Sequence, residues 1–218
     1  MDFLLSLWEF AQGRPERVIE ALVEHLVYTV TVVGAASVFS VAVGVATRQN
    51  VFARELSLAL ASLFLTIPSL ALFTIFIPLV GLGFWPSFIA LFIYAILPVL
   101  RNTVTGLDQV DPSVVEAARG MGLTSWEVLF RVQLPLAWPI ILAGVRIATM
   151  LTIGIAAIAT LVAGGGLGDF VKDGLARIPL PNSLESIWLG TLLCIFLAFV
   201  LDLGLKAIKS VTISRGIR

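Results

Sequence analysis

Three observations predict an all-α polytopic membrane protein of about five transmembrane helices. Hydrophobic residues make up 59% of the 218 and charged residues 13%, against roughly 25% charge in a soluble domain. The charges cluster in short intervals between long apolar runs. The stretch from Leu56 to Leu100 carries no charge, and at roughly 45 residues it is twice the length of about twenty that one span needs. The chain is read as a single transmembrane domain over residues 1–218.

The elements follow in chain order. Residues 1–24 contain Asp2, Glu9, Glu16 and Glu20 and lack the basic-then-apolar order of a cleaved signal peptide. They are expected to form an interfacial amphipathic helix. The first span runs from Leu26 to Ala46. Glycines and a proline break the charge-free stretch at Val80–Pro86, with Trp85 suited to the interface, so spans two and three are Leu56–Val80 and Pro86–Leu100. Pro68 sits mid-span and should kink the second helix, with Thr66 and Ser69 re-satisfying freed carbonyls. A fourth span runs from Trp138 to Val162 and a fifth from Ser186 to Leu205. Arg146, inside the fourth, is near enough to its end to snorkel or to pair with another helix. Asp202 and Lys206 are spaced for an ion pair within the fifth.

Between spans three and four lies a polar segment, 108–135, whose residues spell out a helix, a glycine joint and a second helix. Asp111 suits the N-cap and Pro112 the first helical position. Glu116 follows near the positive end, Ala117 and Ala118 are small enough for close approach by another surface, and Gly120 and Gly122 break the helix. Thr124 and Glu127 form a capping box that starts the second helix, which Pro135 is expected to stop. Val128, Leu129 and Val132 make an apolar stripe, leaving Arg119, Glu127 and Arg131 to solvent or a partner. Such a unit fits a helix-in-groove contact.

Several chemistries are excluded or left without support. Net charge is zero, so there is no basic footprint for nucleic acid. Cys194 is the only cysteine, and no disulfide within the chain is possible. No metal-ligand spacing and no nucleophile–base pair occurs. The run Gly164-Gly165-Gly166-Leu167-Gly168 has no preceding strand and no Gly-Lys-Ser/Thr, so it is not a phosphate cradle. It is expected to turn the chain or gate an exit. His25 reads as an interfacial polar residue. The chain has no Walker motif, and it lacks the buried acids and paired halves of an ion-coupled transporter.

Lysine and arginine bias sets the expected orientation. One set of loops and ends holds Arg48, Arg54, Arg101, Arg119, Arg131, Lys206, Lys209, Arg215 and Arg218, and the other Arg14, Arg17, Lys172 and Arg177, a bias of nine to four. This places segment 108–135 and the C-terminus in the cytoplasm and the N-terminus outside.

Glu116-Ala117-Ala118, three residues, Gly122, nine residues, Val132, one residue and Leu134-Pro135 resembles the "EAA loop" of permease subunits from bacterial binding-protein-dependent ABC importers. Val132 stands where isoleucine is commoner. Leu97 to Leu107, with its Leu100-Arg101-Asn102-Thr103, together with Ala143 to Thr149 and Ala163 to Gly168, is similar to the osmoprotectant branch, which imports glycine betaine, choline or carnitine. Gly165 departs from the alanine that is commoner there. Methionine permeases share the EAA loop and a glycine-rich run, so methionine or another small amino-acid-like solute stays an alternative. A non-transporting membrane scaffold is the alternative of another class.

The resemblance implies a type I (MetI-like) importer fold in a bacterial inner or plasma membrane. Its partners would be a dimer of ABC ATPase subunits, an extracytoplasmic substrate-binding protein and a second permease, a copy or a paralogue. No cofactor is expected in this chain, ATP and Mg belonging to the ATPase, and the chain itself is not expected to be an enzyme. Glu116, Ala117, Ala118, Arg119, Gly122, Leu134 and Pro135 would couple it to the ATPase. No residue is assigned to the substrate. An onium ion needs ring faces, and Phe64, Phe73, Phe76, Trp85, Phe88 and Tyr94 are available in spans two and three. Membrane aromatics ordinarily face lipid or pack, so selectivity is expected to lie in the binding protein.

Overall fold

The protein is described by a computed structural model over residues 2–212. Arg215 and Arg218 of the charge bias lie outside the described residues. Ten α-helices follow in order: α1 Asp2–Gln12, α2 Pro15–Thr47, α3 Val51–Thr66, α4 Ser69–Val80, α5 Phe84–Asp108, α6 Pro112–Gly120, α7 Ser125–Val128, α8 Leu134–Ala159, α9 Gly168–Ala176 and α10 Ser183–Thr212. A π-helical turn, Leu129–Gln133, joins α7 to α8.

The central element is α5. It packs against α8 on one side and α2 on another, with α3 and α4 on a third, while α9 and α10 pair outside α8 and α1 lies on α10. Small residues make this possible. A Cβ at Gly144 would sit 2.7 Å from the carbonyl oxygen of Pro98, and one at Gly44 would sit 2.7 Å from Thr103 Cγ2, so either substitution would force α5 away. Asn102, beside Gly144, donates back to Pro98 O at 2.8 Å. Ala36, Ala90, Ala95 and Ala148 are completely buried in the same core, with Val32, Leu91 and Val99. Without a hydrophobic force between helices in lipid, such close backbone packing is what holds spans together.

Among the described residues four helical stretches are long and apolar enough to cross a membrane: Pro15–Thr47, Phe84–Asp108, Ser125–Val162 and Ser183–Thr212. The bent pair α3 and α4 is apolar enough to form a fifth, broken span or a re-entrant hairpin. The boundaries differ from the sequence reading in two places. Residues 1–24 divide at Gly13 and Arg14, because Pro15 opens α2 as its first helical residue and the helix then runs without interruption through His25. The helical stretch that contains the fourth span begins at Ser125, within the polar segment, so the helix extends beyond the span drawn from Trp138.

Pro68 does more than kink its span. Ile67 and Pro68 are both extended, with ψ of 129° and 136°, and the two halves are bent by 98°. A break this wide strands peptide groups, each costly in an apolar surrounding. Thr66 Oγ1 donates to Leu63 O at 2.7 Å, the Leu72 amide donates to Pro68 O at 3.0 Å, and the Tyr94 hydroxyl on α5 donates to Ile67 O. Ser69 takes no part in this. On the opposite flank, Arg146 Nε of α8 donates to Asp202 of α10, which also holds Lys206 Nζ at 2.8 Å. Arg146 therefore pairs across helices, and Asp202 is shared by two cations.

Tyr94→Phe keeps the ring and removes the donor, leaving a half-buried carbonyl unpaired. Its expected cost is about 1–3 kcal/mol of stability, read as a lowered midpoint of thermal unfolding in detergent. An unchanged midpoint would show that another group holds the break.

Candidate functional site

Segment 108–135 forms an arm at one end of the bundle. Its base is tied by Arg54 Nη1 of α3 to Asp108 Oδ2 at 3.0 Å. Asp111 caps α6, its side chain accepting from the Ser113 amide at 2.8 Å, and Pro112 opens the helix. The end of α6 is a complete Schellman turn. Gly122 takes φ of +88°, its amide donates to Arg119 O at 2.9 Å, and the Leu123 amide donates to Ala118 O at 3.3 Å. Gly122 is thus the residue that the joint requires, while Gly120 is still helical. The capping box is present in both directions: the Thr124 amide donates to Glu127 Oε2 at 3.0 Å, and the Glu127 amide to Thr124 Oγ1 at 3.4 Å.

Pro135 does not stop the second helix. The chain continues through the π turn into α8, where Pro135 occupies the first turn. In an unbroken α-helix the proline ring would strike the carbonyl four residues back. The wider π turn, closed by the Leu134 amide on Leu129 O, relieves that clash and uses an i→i+5 bond instead.

The arm presents its residues unevenly. Glu116, Ala117, Arg119 and Gly122 are exposed, and Glu116 has no hydrogen bond or ion pair among the described residues. Ala118 is turned inward and only 2% exposed, so of the two alanines Ala117 alone is offered outward. Val128 and Leu129 are buried, and Leu129 packs with Leu107, Ala137 and Ile141. Leu134 is half-buried and Pro135 exposed at the start of α8. Arg119 borders a polar cleft of about 200 Å³ shared with Arg48, Asp108 and Gln133. Exposed apolar groups that the sequence reading did not single out surround the arm: Met121 at its tip, and Trp126 stacked on Phe130 at 5.9 Å between centroids. Apolar residues left on an otherwise polar arm mark a contact surface.

A second constellation lies at the other end, around the glycine run. His25 is 1% exposed, enclosed by protein. Its Nδ1 accepts from the Leu167 amide at 3.3 Å, so the proton is on Nε2, which lies 3.1 Å from Ile153 O. Glu24 Oε2 accepts from the Gly166 amide at 2.9 Å. Gly165 and Gly166 take φ of +74° and +83°. Two neighbouring side chains of α2 therefore clip a loop that follows α8. A lone histidine in a sequence carries no sign of this; the adjacent Glu24-His25 pair facing a glycine run was the only clue. A Cβ at Gly165 would lie 2.8 Å from Glu24 Oε2, so the departure from alanine at this position has a local cause in the glutamate. The aromatic residues of spans two and three do not meet as one cage: Phe73 and Tyr94 are buried in the core, whereas Trp85 and Phe88 stand beside Phe84. Among the described residues no cluster of histidine, cysteine and acidic side chains fits a metal.

Comparison with known proteins agrees on one kind of protein. Residues 36–210 match the family described as binding-protein-dependent transport system inner membrane component. The chain is similar to the osmoprotectant import permease protein OsmW of Salmonella typhimurium, 38% identical over 89% of this chain and 91% of the relative. It is also similar to the glycine betaine/carnitine/choline transport system permease protein OpuCB of Bacillus subtilis, 36% identical over 87% and 91%. Among solved structures, an inward-facing conformation of the MetNI methionine ABC transporter superposes with a TM-score of 0.77 at 23% identity, covering 90% of this chain and 96% of that one.

Two outcomes are expected. The Thr124 amide and hydroxyl hold the Glu127 carboxyl below the usual carboxylate range, and the Ser113 hydroxyl and amide do the same for Asp111. A lowered carboxyl stabilises the fold above the ordinary carboxylate range and loses that contribution as pH falls through the lowered value. Protection factors over 112–128, taken against the intrinsic exchange rate at each pH, should therefore fall on acidification below the usual carboxylate range, and pH-independent protection there would refute the caps. Gly165→Ala should cost about 1–2 kcal/mol of local stability, seen as faster exchange of the Gly166 and Leu167 amides.

Proposed function

The chain belongs to the family of binding-protein-dependent transport system inner membrane components, and from that premise we propose that it forms the translocation path of an ATP-driven importer for a compatible solute such as glycine betaine, choline or carnitine. The observation that carries the solute class is the 32–38% identity to permeases named for those solutes and for osmoprotectants. The methionine alternative rests on a shared fold alone, at 23% identity.

In this reading segment 108–135 is the grip on the motor. Glu116, Ala117, Arg119 and Gly122 are the outward groups of α6, with Ala118 packing the helix to its base. Leu134 and Pro135 carry the arm into α8. An ATPase subunit would take α6 in a groove, Glu116 supplying a polar or charged contact and Met121 an apolar one. Hydrolysis belongs to that partner, together with ATP and Mg. An external binding protein would deliver the solute, and a second permease subunit, a copy or a paralogue, would complete the path. The bias of basic residues supports an arm in the cytoplasm and a glycine run outside, and the family supports a bacterial inner or plasma membrane.

Reconstitution with the neighbouring ATPase and binding protein tests the reading: glycine betaine, choline or carnitine should stimulate ATP hydrolysis, and methionine should not. Glu116→Lys or Gly122→Asp should leave insertion and the other helices intact while lowering solute uptake and solute-stimulated hydrolysis together. Normal uptake by both variants would remove the arm from the coupling path.

A further inference from the structure

Beside the clipped glycine loop lies an open cleft of about 410 Å³, bounded by Glu24, Tyr28, Phe84 and the backbone of Ala163 to Gly165. Its one charged lining group is the Glu24 carboxylate. Oε2 is taken by the Gly166 amide, and Oε1 has no hydrogen-bond partner among the described residues. Hydrogen-bond donors are scarce, because the Ala163 and Gly164 amides are spent on Thr160 O and Ala159 O within the loop. The nearby cations Arg17 and Lys172 are paired to Asp173 and Asp169. An anion would meet a carboxylate here, and a neutral polar solute would find few donors. A cation that needs no acceptor, only negative potential and ring faces, fits what the cleft offers.

The rings continue away from the cleft. Tyr28 lies 4.8 Å from Phe84, Phe84 5.6 Å from Phe88, Phe88 6.2 Å from Phe92 and Phe92 5.5 Å from Phe39, centroid to centroid. Phe84, Phe88 and Phe92 recur every fourth residue, so they stack along one face of α5 and descend roughly 12 Å towards the middle of the bundle. Phe84 and Phe39, the two ends of the phenylalanine row, are 40% and 47% exposed, so neither is sealed in the core.

We propose that the Glu24–Tyr28–Phe84 cleft receives the onium head of a quaternary ammonium solute, and that the rings of Phe88, Phe92 and Phe39 lead it along α5 into the membrane. This rests on the importer reading above. Phe84 and Glu24 are then specificity-determining residues of the permease itself, separate from any selection made by the binding protein.

The test uses the complete reconstituted importer and measures uptake of radiolabelled choline and glycine betaine beside basal ATP hydrolysis, which reports assembly. Phe84→Leu should lower kcat/KM for choline about three- to fivefold, the loss expected for one ring face, and Phe84→Tyr, which keeps the face, should restore it. Glu24→Gln retains an acceptor for the Gly166 amide and removes only the charge. It should reduce uptake of choline, a net cation, more than that of glycine betaine, which carries its own carboxylate. Equal losses in the Phe84→Leu and Phe84→Tyr variants would assign the ring to packing, and no loss in Phe84→Leu would place it against lipid; either overturns the site alone. A wild-type importer that takes up neither solute overturns the solute reading and the site with it.

Discussion

A peptide group that has lost its helical partner in an apolar surrounding must find another, and this constraint governs every irregular point of the fold. Where α3 breaks at Pro68, the Tyr94 hydroxyl of α5 takes up Ile67 O. Where α8 ends, Glu24 and His25 of α2 accept from the amides of Gly166 and Leu167. Where Pro135 has no amide to give, a π turn re-phases the ladder. Each repair is made by a neighbouring helix or by a change of helical pitch, so the breaks are also the places where separate helices are stitched together.

The segments that mark the chain as similar to osmoprotectant permeases turn out to be packing partners. Pro98 and Asn102, from the stretch Leu97 to Leu107, face Gly144, from the stretch Ala143 to Thr149, at a distance that leaves no room for a Cβ. Both stretches preserve how α5 meets α8. A resemblance carried by such residues identifies an architecture and its lineage, and the solute is then a property to be sought in side chains that line open space, such as Glu24 and Phe84.

Local chemistry was legible in the sequence wherever it depends on residues a few positions apart. Asp111-Pro112, the Thr124–Glu127 box, the Gly122 joint and the Asp202–Lys206 pair all formed as their spacing implies. The charge-free stretch divides, as its length implies, into the bent pair α3 and α4 and the single long helix α5. What escaped the sequence depends on distant partners. Pro135 reads as a stop because nothing in the flanking residues announces a π turn. His25 reads as interfacial because its two partners lie 128 and 142 positions along the chain. The bend at Pro68 is far wider than the kink expected of it, and the hydroxyl that takes up its freed carbonyl lies 27 positions away. The inward turn of Ala118 is likewise set by α7 and the π turn beneath it, not by the Glu-Ala-Ala triplet.

One uninterrupted helical stretch, Ser125 to Val162, joins the arm at one end of the molecule to the glycine loop at the other. Its 38 residues span roughly 55 Å, so tilting it by about 5° about one end swings the other by about 5 Å. α6 packs on its first turns at one end, and just past the other end the Gly166 and Leu167 amides donate to Glu24 and His25 of α2. Any tilt of this stretch would therefore load the α6 arm and the Glu24 and His25 contacts together, because continuous helix lies between them.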